Sequence, residues 1–207
     1  MAEGTAAFAG EPILRVTAPI IEAQLLETFL MNVVHLQTLI ASKAARVVLA
    51  ADGRGLVDFG LRRTHGTESG LLGARASRIA GFDATSNVEA GKCFDIPVAG
   101  TMAHSYVQAL HDEEEAFRTF VETYPETILL VDTYDTVQGI KIAARVARDF
   151  LSNKGIKIKG IRLDSGDLVE LSKFARDYLK REGLAFMNIF VSGDLDEYRI
   201  RDLLERG

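Results

Sequence analysis

The sequence predicts an α/β fold with parallel strands, on two observations. Between Thr127 and Glu205 an apolar strand, an acidic turn and an amphipathic helix recur about every 30 residues, the size of a βα unit. The acidic residues of the repeat also keep a fixed place. Asp132, Asp164 and Asp194 each fall where a strand stops and its helix begins. Consecutive βα units give right-handed crossovers, which gather those turns on one edge of the sheet. In α/β folds that C-terminal edge is where sites are built.

The remaining elements follow in chain order. Glu11-Pro12-Ile13-Leu14-Arg15-Val16 reads as a short strand. From Ile20 to about Ala45, the residues Ile21, Leu25, Phe29, Val33, Leu36 and Ile40 recur at helical spacing. Glu22, Gln24, Glu27, Asn32 and Lys43 interrupt that run, so one or two packed helices are expected, mostly core, and not a membrane span. His35, inside the stripe, is read as structural. Leu56 to Gly60 is a strand running into Leu61-Arg62-Arg63. Phe59 beside two arginines suits an anionic planar ligand, since guanidinium forks onto carboxylate or phosphate and an aromatic face stacks on a ring. A solvated arginine pair at a strand end is the alternative.

Glu68 to Ala80 reads as a helix whose small residues suit close packing, and Thr85-Ser86-Asn87 caps a short helix ending near Gly91. Pro97-Val98-Ala99 reads as a short buried strand, Gly100-Thr101 as a turn and Met102 onward as a helix. His104 and Ser105 then lie where backbone N–H groups are unpaired, a setting for an anion. An imidazole there serves as base, phosphate ligand or phosphoryl acceptor, or simply packs near a helix start. Asp112 to Thr123 is an acidic amphipathic helix whose Asp-Glu-Glu-Glu run is expected to be a solvated face. The repeat then supplies strands at 127–131, 158–163 and 187–191, with helices at about 137–151, up to Arg181, and 196–205.

A single aspartate at a strand end is usually a helix cap. Three in register, with Arg162 inside one strand, favour a site for a sugar hydroxyl or a Mg²⁺-bound phosphate. Composition narrows the partners. The chain has 207 residues, 47% apolar and 26% charged, and fits one domain with an appendage. Residues 1–55 are expected to contribute to a second domain and the barrel entry, and 56–207 to form the α/β part. A net charge of -5 gives no support to nucleic-acid binding. Cys93 is alone, so no disulfide framework or cysteine metal site is available. Met1 to Gly10 lacks a signal-peptide pattern, and no apolar run is expected to cross a membrane, so the cytoplasm is the default compartment. Four or five strands are too few to close an eight-stranded barrel. The fold is expected to be incomplete.

Six motifs in one order resemble the nicotinate phosphoribosyltransferase family: Asp58-Phe59-Gly60-Leu61-Arg62-Arg63, Thr85-Ser86-Asn87, Gly100-Thr101-Met102-Ala103-His104-Ser105, Leu130-Val131-Asp132-Thr133-Tyr134-Asp135, Ile161-Arg162-Leu163-Asp164-Ser165-Gly166-Asp167 and Val191-Ser192-Gly193-Asp194. The resemblance implies an irregular α/β barrel of the type II phosphoribosyltransferase kind, with a second domain built around the N-terminal part. It implies joining of nicotinate to phosphoribosyl pyrophosphate, giving nicotinate mononucleotide and pyrophosphate, coupled to ATP hydrolysis in NAD salvage. By the same resemblance, His104 is phosphorylated by ATP, and Asp132 orients and charges it. Thr101 and Arg162 bind the nicotinate carboxylate, and Phe59 with Arg62 sandwiches the pyridine ring. Asp164 and Asp194 hold ribose hydroxyls or the Mg²⁺-pyrophosphate end, and Ser105 contacts phosphate. Arg63 is not separable from a solvated role. Mg²⁺, ATP and a homodimer with shared sites are expected.

The departures are an N-terminal aromatic segment that reaches a neighbour's site, and a glycine-rich loop for the ribose 5-phosphate, both of which this chain lacks. A fragment of a longer enzyme is therefore expected, inactive alone. The alternatives are a partner-binding or ligand-binding remnant, and a related phosphoribosyltransferase using nicotinamide or quinolinate. A metal-dependent barrel hydrolase is disfavoured, because His104 has no second histidine at ligand spacing.

Overall fold

Residues Met1–Gly207 are all described by a computed structural model, in which they form two units, Met1–Gly100 and Thr101–Gly207. In the first unit, α1 (Ile20–Ala51) is one continuous helix. It is followed by β1 (Val57–Asp58), a 3-10 turn at Leu61–Arg63, α2 (Thr67–Ala80), β2 (Ala84–Thr85) and α3 (Val88–Phe94). β1 and β2 pair in parallel, with Val57 opposite Ala84 and Asp58 opposite Thr85. Small residues let α2 lie close on α1. Gly73, Ala74, Ala76 and Ser77 are buried, and Arg75 reaches Gln37 of α1. Asn87 caps α3 through the Ala90 N–H, as the sequence suggests.

Four expectations for this unit need correcting. Residues 11–16 form no strand, because no neighbouring strand pairs with them and they stay exposed. Pro97–Ala99 makes only an isolated bridge from Val98 to Thr85, and Val98 is exposed. The α1 stripe is not core as expected: Ile21, Leu25 and Phe29 are exposed, Val33, Leu36 and Ile40 only half-buried, and Ala44 and Ala51 are the helix's buried residues. The reason is geometric. Within this unit α2 is the helix that lies along α1, touching it at Gln37, Ile40 and Val48, and nothing there covers the N-terminal half. By length and composition alone α1 is also apolar enough to cross a membrane, with an 18-residue stretch of mean hydropathy 1.3, contrary to the expected absence of such a run. Of the residues counted as interruptions, Glu22 and Gln24 precede the stretch from Leu25 to Ser42 and Lys43 follows it; within it Glu27 is the one acidic residue, with no lysine or arginine.

The second unit carries α4 (His104–Gln108), α5 (Glu113–Thr123), β3 (Ile128–Leu130), α6 (Thr136–Lys154), β4 (Gly160–Leu163), α7 (Leu168–Arg181), β5 (Asn188–Val191) and α8 (Glu197–Arg206). The three strands form one parallel sheet in the order β3-β4-β5, with Leu130 opposite Arg162 and Arg162 opposite Phe190. Alternation along β4 sends Ile161 and Leu163 into the core and Arg162 to the other face. The core joins Leu129, Leu130, Ile161 and Leu163 to Phe117, Val121, Ile140, Phe150 and Leu179 of the helices. Each such side chain contributes roughly 1.5–3 kcal/mol by leaving water. α6 sits hard against the end of β3: a Cβ on Gly139 would stand 2.0 Å from the Val131 carbonyl oxygen, so only glycine fits.

Each helix of the repeat is capped by the second aspartate of its turn. Asp135 accepts from Gln138 N–H, Asp167 from Val169 and Glu170 N–H, and Asp196 from Tyr198 and Arg199 N–H. The strand-end aspartates Asp132, Asp164 and Asp194 are therefore not the caps. The acidic run at the start of α5 departs from its expected solvated role: Asp112 caps the helix and Glu114 is half-buried, while Glu113 turns inward and is buried.

Candidate active site

The C-terminal edge of β3, β4 and β5 brings together Thr101, His104, Asp132, Arg162 and Asp164. Arg162 is the hub. Its Nε donates to Ser192 Oγ at 2.7 Å, Nη1 to Thr101 Oγ1 at 2.8 Å and Nη2 to Asp164 Oδ1 at 2.7 Å. Three elements thus fix the plane of one guanidinium, whose side chain is 15% exposed. Ser192 also donates to Asp164 Oδ1. The turn after β5 can cross this close because of Gly193. Its φ is +99°, and a Cβ there would meet the Asp164 carbonyl oxygen at 2.3 Å.

Burial works to raise the Asp164 carboxyl, but hydrogen bonds from Ser192 and Arg162, the Arg162 charge and the His104 contact outweigh it and hold it below its ordinary range. Asp164 Oδ2 lies 3.5 Å from His104 Nε2, and the other ring nitrogen, Nδ1, is 3.1 Å from Thr133 Oγ1. The carboxylate against the imidazole is thus Asp164. Asp132 stands behind it: Asp132 Oδ2 accepts the Asp164 N–H at 2.9 Å and the Ser165 hydroxyl at 2.5 Å. Asp132 differs here from the orienting contact expected of it, because its carboxylate is spent on the β4 turn.

The other expected residues are placed as follows. Ser105 is exposed in the first turn of α4, a helix of only five residues. Asp194 lies three residues past the end of β5, in a left-handed conformation, φ +51°, and so not at the strand-end place of Asp132 and Asp164. Phe59 follows β1, and Arg62 lies in the 3-10 turn, both in the first unit. No three acidic, histidine or cysteine side chains converge to hold a metal ion. Sequence reasoning did not single out Thr133, Ser165, Ser192 or Glu113. Ser192 follows the last residue of β5 by one, Ser165 that of β4 by two and Thr133 that of β3 by three, so each lies in the turn between a strand and its helix, and that place was the available signal.

Comparison with known proteins is consistent across this region. Residues 55–206 match the family model described as the nicotinate phosphoribosyltransferase family. A nicotinate phosphoribosyltransferase of Mycobacterium tuberculosis is 52% identical over 202 residues, covering 98% of this chain and 43% of its own length. The Bacillus subtilis nicotinate phosphoribosyltransferase is 50% identical over 208 residues, covering 100% of this chain and 42% of its own. The chain therefore spans less than half the length of these relatives. Among solved structures, human nicotinic acid phosphoribosyltransferase aligns with a TM-score of 0.86 at 29% identity, covering 97% of this chain and 51% of that one. The shared fold is α/β with parallel strands, a part of the type II phosphoribosyltransferase barrel.

Proposed function

The chain belongs to the nicotinate phosphoribosyltransferase family, and we propose that it serves the joining of nicotinate to phosphoribosyl pyrophosphate, with ATP as co-substrate. The carrying observation is the guanidinium of Arg162, held in one plane by Thr101, Ser192 and Asp164 beside His104. A fixed fork of that kind suits a carboxylate on a flat ring. It also discriminates against an amide, since an amide cannot satisfy a buried guanidinium equally well.

In the transfer step the pyridine nitrogen attacks the anomeric carbon, and pyrophosphate leaves with the electron pair of the broken C–O bond. The sugar passes through an oxocarbenium-like state, which nearby carboxylates stabilise; Asp164 and Asp194 are the candidates, by way of the ribose hydroxyls. In the coupled step the γ-phosphoryl group of ATP moves to a ring nitrogen of His104 and ADP leaves. Hydrolysis of the P–N bond returns histidine and phosphate. Thr133 and Asp164 set the ring's orientation, Asp132 acts on it through Asp164, and Ser105 is the candidate phosphate contact. Phe59 and Arg62 are the stacking candidates of the first unit. Mg²⁺ enters with the substrate, as the counter-ion of its pyrophosphate. A cytoplasmic homodimer is the expected working form.

The test is formation of nicotinate mononucleotide from labelled nicotinate and phosphoribosyl pyrophosphate, run beside incubation with γ-labelled ATP. An acid-labile, base-stable label that disappears in His104→Ala, and preference for nicotinate that disappears in Arg162→Ala, are the expected results. Absence of label on a folded chain would overturn phosphorylation of His104 by this chain alone. Equal use of nicotinamide would overturn the substrate assignment.

A further inference from the structure

The 3-10 turn that carries Arg62 is built more tightly than an exposed turn requires. β1 ends at Asp58, and both oxygens of its carboxylate are engaged. Oδ1 accepts the Gly60 N–H at 2.8 Å, and Oδ2 accepts the Thr85 hydroxyl at 2.8 Å. Thr85 is a fixed point. It is fully buried, it lies opposite Asp58 in the β1-β2 pair, and its backbone is bonded to Pro97 and Ala99. Its hydroxyl oxygen also accepts the Asn87 N–H, and Asn87 in turn caps α3. One carboxylate thus ties the turn to the start of α3.

Backbone bonds and close packing add to the hold. The Arg63 N–H donates to the Gly60 carbonyl at 2.9 Å, and Leu61 lies so close on α2 that a Cβ on Gly70 would run into its Cδ1. A Cβ on Gly60 would stand 2.9 Å from Asp58 Oδ1 and would push the carboxylate off its bonds. The Gly60 backbone, φ -77° and ψ -16°, lies in the right-handed region open to any residue. The nearness of the carboxylate, and not the backbone, is what favours glycine there. What the turn holds out is an arginine, since Arg62 is exposed. A solvated arginine needs no fixed backbone, whereas a cation that meets a ligand gains from being ordered before the ligand arrives.

We propose that Asp58 is a positioning residue for ligand recognition: by bridging Gly60 and Thr85, its carboxylate sets the turn from which Phe59 and Arg62 grip an anionic planar ligand. The latch lies wholly within the first unit. The inference rests on the proposed function in taking Phe59 and Arg62 as the stacking pair, and it adds the group that orients them.

The test is amide hydrogen exchange followed by NMR on the whole chain, and then titration with nicotinate. In the unsubstituted chain the Gly60 amide should exchange at least about tenfold more slowly than an open amide, and Asp58→Ala should remove that protection, as befits loss of a bond to a charged acceptor. Asp58→Asn keeps an acceptor for Gly60 and should retain most of it. Nicotinate should bind at least about tenfold more weakly in Arg62→Ala, by a similar factor in Asp58→Ala, and no more weakly still in the double variant, because a positioning residue acts through the residue it places. Asp58→Asn should bind close to normally. An unprotected Gly60 amide in the unsubstituted chain overturns the latch, as does protection that survives Asp58→Ala. Losses that add in the double variant, or an Asp58→Ala chain that binds normally where Arg62→Ala does not, overturn the positioning role. Should Asp58→Ala not fold, Gly60→Ala, whose backbone angles allow alanine, displaces the same carboxylate and is read by the same two measurements. Nicotinate binding that is undetectable, or that Arg62→Ala leaves unchanged, is failure of the stacking assignment and takes the ligand role of Asp58 with it; a protected Gly60 amide beside that result marks it off from failure of the latch.

Discussion

Replacing Gly139 by alanine isolates the contact on which the placement of the β3 turn depends. The added methyl would stand 2.0 Å from the Val131 carbonyl oxygen and 2.9 Å from its carbon, where ordinary contact begins near 3.4 Å. Both neighbours are backbone, so neither can rotate away, and α6 must retreat by more than about 1 Å. That lifts Ile140, Ala143, Ala147 and Phe150 from the sheet. Overpacking of this kind costs about 1–3 kcal/mol, the upper end applying where nothing flexible can yield. Alanine is the better helix former by about 1 kcal/mol, so a net loss of about 2 kcal/mol is expected. Urea unfolding followed by tyrosine fluorescence reads this unit selectively, because all 5 tyrosines lie after Thr101. With a slope of about 2 kcal/mol/M, the midpoint should fall by about 1 M. A gain approaching 1 kcal/mol, which propensity alone would give, would refute close packing of α6 on β3.

Three further outcomes are expected. Asp164→Ala leaves the largely buried Arg162 guanidinium without its carboxylate, and should cost about 3 kcal/mol in urea unfolding; a loss under about 1 kcal/mol would mean the pair is solvated. Asp167→Ala removes the α7 cap, which accepts from Val169 and Glu170 N–H, and should cost about 1 kcal/mol in thermal unfolding. Glu113 is raised from 4.5 to about 7 in the folded chain, so the folded state binds the extra proton between those values. Its contribution is full below about 4.5 and is lost as pH rises through about 7, at most about 3 kcal/mol. Glu113→Gln should flatten that fall, and an unchanged slope would count against the assignment.

What the sequence discloses here follows from which forces act locally. The β3-α6, β4-α7 and β5-α8 units are legible because a run such as Ile128-Leu129-Leu130 and an N-cap such as Asp135 are set within a few residues. Arg162 and Asp164 were legible as strand-edge residues, but their pairing depends on alternation along β4 and on the β5 turn crossing over it. Asp132 was expected beside His104 from the family resemblance alone; the distances instead put Asp164 there. The inward turn of Glu113 has no sequence signal, since Asp112, Glu114 and Glu115 share its charge and differ only in which way the α5 helix faces. The stripe of α1 illustrates the converse. Helical periodicity reports that a face is apolar and says nothing about whether the same stretch of chain brings its cover.

The doubling of aspartates in each turn separates two kinds of work. Asp135, Asp167 and Asp196 start the helices, while Asp132, Asp164 and Asp194 stand one turn earlier with no helix depending on them. Substitution at the strand ends therefore leaves the starts of α6, α7 and α8 intact. The helix starts are thereby insulated from changes at the reactive edge, and what such a change costs falls on the turns themselves, as at Asp132 and Asp164.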